Sequence, residues 1–320
     1  MFRLLGLLAW LLLASTAHAG QLPVLKLSVL QFGTAHWELD HLQREGLDRQ
    51  YGFELEVRLV ANLPASRIAL SSGEVQGAVV DLTWAQARYA GGDAYRYLPY
   101  SAQMGNVLAA PGVRVDAVAD LRGKRIGVAG GPDSKGWIIL DEVARRHDID
   151  LAREATIQYA APPLLNQALR RGQLDVLVTF WHFAAELTAA GQAETALNMQ
   201  ELLATLGLET GLPILGYAFR DDWAQAHEDL LRRFADALAE AKRQLAEAPH
   251  HWQAIRPLMR AVDDDHFAAL REGFIEGIPD PLGERQVSEL QRLLVLTGAN
   301  PERLMPERLF YRAEPSPRTP

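Results

Sequence analysis

The sequence predicts an α/β protein made of two similar lobes, each built around a mainly parallel sheet. Three observations carry that expectation. Strand and helix patterns alternate from residue 25 to Trp84, and the same order recurs from residue 121 to Trp181. Both runs also close on nearly the same device, "ALSSGEVQGAVVDLTW" and "ALRRGQLDVLVTFW", each passing from Ala-Leu through a Gly into an apolar run that stops at Trp.

The first residues, "MFRLLGLLAWLLLASTAHAG", have the form of a cleavable export signal. Arg3 supplies the charged start, Leu4 to Leu13 the apolar run, and Ala17-His18-Ala19 the small-residue cleavage site, so cleavage is expected after Ala19. The run is about ten residues, and a membrane span needs about twenty. A soluble periplasmic protein follows. The chain has no Cys, so it carries no lipobox for lipid attachment and no thiol for catalysis or soft-metal binding.

Next, "LKLSVLQF" (25–32) reads as a buried strand and "GTAHWELDHLQREGLDRQYG" as a loop opening a helix. "FELEVRLV" alternates as a second strand. "LPASRIALSSG" is a helix stopped by Gly73, and "GAVVDLTW" is a third strand. In the second copy, "LRGKRIGVAGG" (121–131) is a strand, and a helix begins near Ser134. "ATIQYA" is a short strand, "PPLLNQALRRG" a helix with Pro at its start and Gly172 at its end, and "LDVLVTFW" the closing strand. A helix-rich stretch is expected to about Leu208, then a strand in "LPILGYAF" (212–219). The rest is mainly helical. One stripe of Leu230, Leu231, Phe234, Leu238, Ala241 and Leu245 marks a docked helix, and the tail "EPSPRTP" is expected to fray.

Composition narrows function. The chain is 48% hydrophobic and 22% charged, which fits a folded protein with a sizeable core. A net charge of −8 argues against a nucleic-acid partner, which would need concentrated Lys and Arg. There is no G-x-S-x-G, H-E-x-x-H, Walker A or G-x-G-x-x-G motif, so no enzyme class and no cofactor is selected.

In parallel α/β sheets, ligands bind beyond the carboxyl ends of strands. Here those ends carry Thr34, His36 and Trp37; Asp81, Thr83 and Trp84; Asp133, Ser134, Lys135 and Trp137; and Thr179, Trp181 and His182. Setting aside Trp10 in the leader, four of the six remaining Trp stand at these positions, and Trp223 and Trp252 do not. One reading makes them aromatic walls of a cleft between the lobes, with Trp84 facing Trp181. The other makes them fillers between helix and sheet. Helix N-termini at Gly33-Thr34 and Gly130–Ser134 would offer N–H groups to an anionic or polar ligand. Lys135 either neutralises a ligand carboxylate, phosphate or sulfonate, or is a solvated first-turn lysine. Asp81 either accepts from a ligand amine or caps the next helix. His36 and Asp40 share a helix face that His182 could approach, while His250-His251 read as a polar helix end; no metal site is assigned.

Together, "VADLRGKRIGVAGGPDSKGWIIL", "ALRRGQLDVLVTFW" and "ALSSGEVQGAVVDLTWAQARYAGG" resemble the solute-binding proteins of ABC importers. The group is that of sulfonate-, taurine- and nitrate-type binders (SsuA/TauA) and the NMT1/THI5-like proteins, and the likeness spans most of residues 25–220. The resemblance implies a type II periplasmic-binding-protein fold: two lobes joined by two crossover strands, near 105–111 and 214–219, closing on a ligand by hinge motion. Lobe 1 would comprise 20–106 and 215–320, and lobe 2 would comprise 107–214. It implies a monomer that is not an enzyme, with a small-molecule ligand and with permease and ATPase partners at the inner membrane. His182-Phe183 stands where related chains carry an acidic residue and Pro, which points to a small organic ligand, planar or partly apolar and possibly anionic. The pyrimidine synthases of this superfamily use a Cys-rich iron motif that a Cys-free chain does not match. A synthase-like enzyme and a ligand-sensing subunit for a membrane receptor stand as the alternatives.

Overall fold

In the computed structural model, which describes residues 21–312, the chain forms two five-stranded sheets. The expected export signal and the tail 314–320 lie outside the described residues. The first stretch runs β1 (Val24–Leu30), α1 (Ala35–Arg44), α2 (Leu47–Gln50), β2 (Glu54–Val60), α3 (Leu63–Ser71), β3 (Gly77–Asp81), α4 (Leu82–Ala90) and β4 (Tyr95–Ser101). The second runs β5 (Asn106–Ala109), β6 (Arg125–Ala129), α5 (Lys135–Arg146), α6 (Leu151–Glu154), β7 (Thr156–Ala160), α7 (Pro162–Arg170), β8 (Val176–Thr179), α8 (Trp181–Ala189), β9 (Glu194–Asn198) and α9 (Met199–Thr205). Then follow β10 (Leu215–Arg220), α10 (Asp221–Ala226), α11 (Glu228–Glu247), α12 (His251–Met259), α13 (Asp264–Glu276) and α14 (Glu284–Leu296).

The sheets are built to one plan. The first has the order β2-β1-β3-β10-β4 and the second β7-β6-β8-β5-β9. In each, three strands run parallel, a fourth pairs antiparallel beside them, and a fifth closes the edge. The fourth strands, β10 and β5, are the ones that follow each passage of the chain between sheets, over residues 102–105 and 199–214. Gly105 serves the first passage. Its φ is +98°, and a Cβ there would stand 2.0 Å from the Thr179 carbonyl oxygen, so only glycine fits.

Two strands correct the sequence reading. β9 lies inside the stretch expected to be helical, and β4 lies where no element was expected. Both are edge strands. "ETALN" is mostly exposed and so lacks the apolar alternation of a half-buried strand. "YRYLPYS" contains Pro99, whose missing N–H is tolerated at an edge.

The helical C-terminal third covers the first sheet and reaches the second. On α11, Leu230, Leu231, Phe234, Leu238 and Ala241 are buried against Leu25, Leu27 and Val29 of β1. Apolar burial of that stripe, at roughly 25 cal/mol per Å², is what holds the helix. α14 packs on α4, and α13 lies against α8, the helix that follows the second sheet's β8. One apolar cluster runs from Ala78 and Val80 of the first sheet to Ile126, Val128 and Val178 of the second.

Candidate functional site

Four helices, α1, α4, α5 and α8, start at the carboxyl ends of β1, β3, β6 and β8. Their N-cap residues are Thr34, Asp81, Ser134 and Phe180, and none accepts a capping hydrogen bond through its side chain. No side chain caps these first turns, although the N–H groups of His36, Trp37, Leu82 and Phe183 already donate to the carbonyls of Gly33, Thr34, Ile214 and Phe180, and the helix dipoles add positive potential there.

Charged side chains from both sheets meet at this place. The Asp81 carboxylate sits 6% exposed and accepts from Arg67 Nη2 at 3.1 Å, with Lys135 Nζ 3.5 Å away on its other oxygen. Arg67 extends further to Asp133 at 3.5 Å, and that carboxylate is largely exposed. Lys135 is buried and lies 5.9 Å from the Phe180 ring centroid. Arg67 lies 5.8 Å from the Trp84 ring, and its buried Nε has no partner. One buried and one half-buried cation thus share one buried carboxylate. Of the two roles open for Lys135, solvation is excluded. Asp81 occupies the cap position of α4 but spends its oxygens on the cations.

Burial with incomplete pairing continues nearby. Thr179 Oγ1 and His182 Nδ1 are buried without a hydrogen-bond partner. Burial, and then the Lys135 charge, lower the His182 pKa to about 3, so its imidazole is neutral at physiological pH. Thr34 Oγ1 pairs with Tyr100 Oη at 2.5 Å, and His36 Nδ1 lies 3.2 Å from the Gln31 carbonyl. Thr83 and Ser134 are half-buried at the mouths of α4 and α5. His36, Asp40 and His182 do not converge: Asp40 pairs with Arg44.

The four Trp separate into different roles. Trp37 and Trp181 meet edge to face, with centroids 6.0 Å apart, in one apolar cluster with Trp252 and Phe274. Trp137 is buried between helix and sheet beside Tyr159. Trp84 is half-buried, packed on Tyr95 with Arg67 beside it. The pairing of Trp84 with Trp181 as facing walls is corrected here. Trp84 is the third residue of α4 and Trp181 the first of α8. At about 100° per residue, that offset turns the two rings to nearly opposite helix faces. The residue equivalent to Trp37 is Trp137, third in α5 as Trp37 is third in α1.

Sequence reasoning missed Arg67. It is the only charged residue in the helix "LPASRIALS", which was the available signal. A cavity of about 610 Å³ also lies at the passage between sheets, lined by Gln103, Asn106, Trp181, Gln200, Glu272 and Glu276 among others.

Two facing α/β sheets, joined by two chain passages and presenting helix N-termini to one another, define the periplasmic-binding-protein fold, and the comparisons agree. The NMT1/THI5-like family model matches residues 100–251. A protein from Bordetella bronchiseptica RB50 superimposes with a TM-score of 0.74 at 16% identity, covering 90% of this chain and 94% of that one. The alkanesulfonate-binding protein SsuA from Xanthomonas axonopodis pv. citri, bound to MOPS, gives 0.70 at 18% identity, covering 92% and 100%. The periplasmic aliphatic sulphonate binding protein SsuA from Escherichia coli gives 0.69 at 12%, covering 88% and 97%. A comparison with curated protein sequences gives no match. The resemblance read from the residues is borne out at the level of fold and family model.

Proposed function

We propose that this chain is a periplasmic solute-binding protein that captures a small organic anion between its two sheets and delivers it to an ABC permease. One observation carries the reading: Arg67 from the first-sheet side, half-buried, and Lys135 from the second, buried, both converge on Asp81 at the mouths of α4 and α5. A ligand carboxylate or sulfonate would compete with Asp81 for the two cations and take first-turn N–H groups of α5. Trp84 and Phe180, already beside those cations, would flank a planar or partly apolar body. Because each side supplies one cation, ligand would bind the closed arrangement better than an open one and shift the population towards it. The alkanesulfonate-binding neighbour supports an anionic class. The lobes would be 20–106 with 215–320, and 107–214, in a monomer exported by cleavage after Ala19.

The test is a titration of tryptophan fluorescence with a panel of small sulfonates and carboxylates, in the wild type and in Arg67→Ala and Lys135→Ala. A charge-assisted hydrogen bond is worth about 1.5–3 kcal/mol. Each substitution should therefore weaken binding roughly 10- to 100-fold. Wild-type affinity in both variants, or no saturable binding across the panel, would contradict the proposal.

A further inference from the structure

Outside the cleft, α1 and α12 bring together three residues that the solute reading does not use. His41 and Glu45 stand four residues apart at the C-terminal end of α1, and His251 opens α12 against them. One donor atom from each lies within 4.8 Å of the other two. We infer that His41, Glu45 and His251 form a binding site for a divalent transition-metal ion of the Zn²⁺ type.

The geometry suits such an ion. His251 Nδ1 and Glu45 Oε1 are 3.4 Å apart. Two ligands on a tetrahedral zinc, with bonds of about 2.0–2.1 Å, stand about 3.3–3.4 Å apart. His41 is held ready by a chain of hydrogen bonds with one possible direction. The Glu240 carboxylate accepts from Gln244 Nε2 at 2.8 Å. Gln244 therefore presents its Oε1 to His41 Nε2, 2.9 Å away. That oxygen only accepts, so the proton of His41 sits on Nε2 and the lone pair on Nδ1. An outer partner that fixes the tautomer and orients the ring is the usual support of a ligating histidine. Glu45 is exposed, which gives the ion an entry path and leaves room for water as a fourth ligand. Two histidines and one glutamate with an open position is an established donor set for Zn²⁺. The bound ion would clip α12 to α1, next to the aromatic cluster of Trp37 and Trp252.

The experiment uses tag-free, metal-stripped mature protein, titrated with Zn²⁺ by calorimetry and with Co²⁺ by visible absorption. One equivalent should bind at micromolar concentration, with the d–d bands of a four- or five-coordinate Co²⁺. At a hundredfold excess over Kd, Tm should rise by roughly 5 °C. Glu45→Gln, at an exposed position, and His251→Ala, at a half-buried one, should keep the wild-type circular dichroism and each lose at least tenfold in affinity. One-to-one binding that survives both substitutions, or no saturable binding below millimolar metal, overturns the inference. Neither variant touches Arg67 or Lys135, so a failure here is separate from a failure of solute binding.

Discussion

Gly273→Ala is a one-methyl perturbation at the contact between the C-terminal helices and the second sheet. Gly273 lies in α13, and a Cβ there would stand 2.7 Å from Cζ3 and 2.9 Å from Cε3 of Trp181. Its backbone is ordinary helix, so the cost is steric rather than conformational. The Trp181 ring must shift to admit the methyl, and Trp37, with its centroid 6.0 Å away, limits that shift. Overpacking of this kind costs about 1–3 kcal/mol, which for a chain of this size lowers Tm by roughly 2–5 °C. Because Trp181 follows β8 while α13 packs with the first sheet's helices, the strain can also be relieved by separating the two sides. Solute affinity should then fall and the radius of gyration rise in small-angle scattering. Thermal denaturation measures the first effect, and a double-mutant cycle with Trp181→Leu isolates the contact. The double variant should lose less stability than the sum of the single ones. If Gly273→Ala melts with the wild type, or if the two substitutions simply add, Trp181 is not seated on α13 as described.

Two further predictions concern buried charge. His182 has its pKa lowered to about 3, against an ordinary value of 6.5, so below pH 6.5 the unfolded chain binds a proton that the folded chain refuses. Stability should fall as pH drops from 6.5 towards 3, by at most about 1.4 kcal/mol per pH unit from this residue. Urea titrations at pH 7, 5 and 4 should show a shallower acid loss in His182→Phe, and an unchanged slope would remove His182 as a cause. Lys242 Nζ reaches the fully buried Glu38 at 2.5 Å and the Tyr100 carbonyl at 2.9 Å, while Tyr217 Oη donates to Glu38 at 2.7 Å. Lys242→Met leaves that carboxylate without its cation and should cost about 3–5 kcal/mol in denaturant unfolding; adding Glu38→Gln should recover part of the loss. Equal stability of the wild type and Lys242→Met would mean the pair is not buried as described.

Much of the architecture was legible because it is written in local rules. Gly73 and Gly172 adopt positive φ just past α3 and α7, as helix-stopping glycines do, and the apolar runs of β1, β3, β6 and β8 are buried along nearly their whole length. β9 was illegible because its mostly exposed residues show no alternating apolar face, and β4 because Pro99 interrupts a largely buried run. Within the candidate site, Lys135 and Asp81 were recognisable by position, but their burial and mutual contact depend on how the two sheets face each other. Arg67 offered one signal, as the only charge in its helix, but its reach to Asp81 depends on the fold. The matched segments ending at Trp84 and Trp181 misled because they align by their closing residues, whereas the direction of a ring is set by its count from the helix start. Trp37, Trp137 and Trp181 are buried in apolar packing, which the sequence could not show because the third dimension decides which face of a strand end meets solvent.

The most direct test is a crystal structure of the protein with the tightest-binding anion from the fluorescence panel. The account predicts the ligand's charged group within hydrogen-bond distance of both Arg67 and Lys135, with Trp84 or Phe180 against its body. A ligand found only in the cavity beside Glu272 and Glu276, touching neither cation, would contradict it.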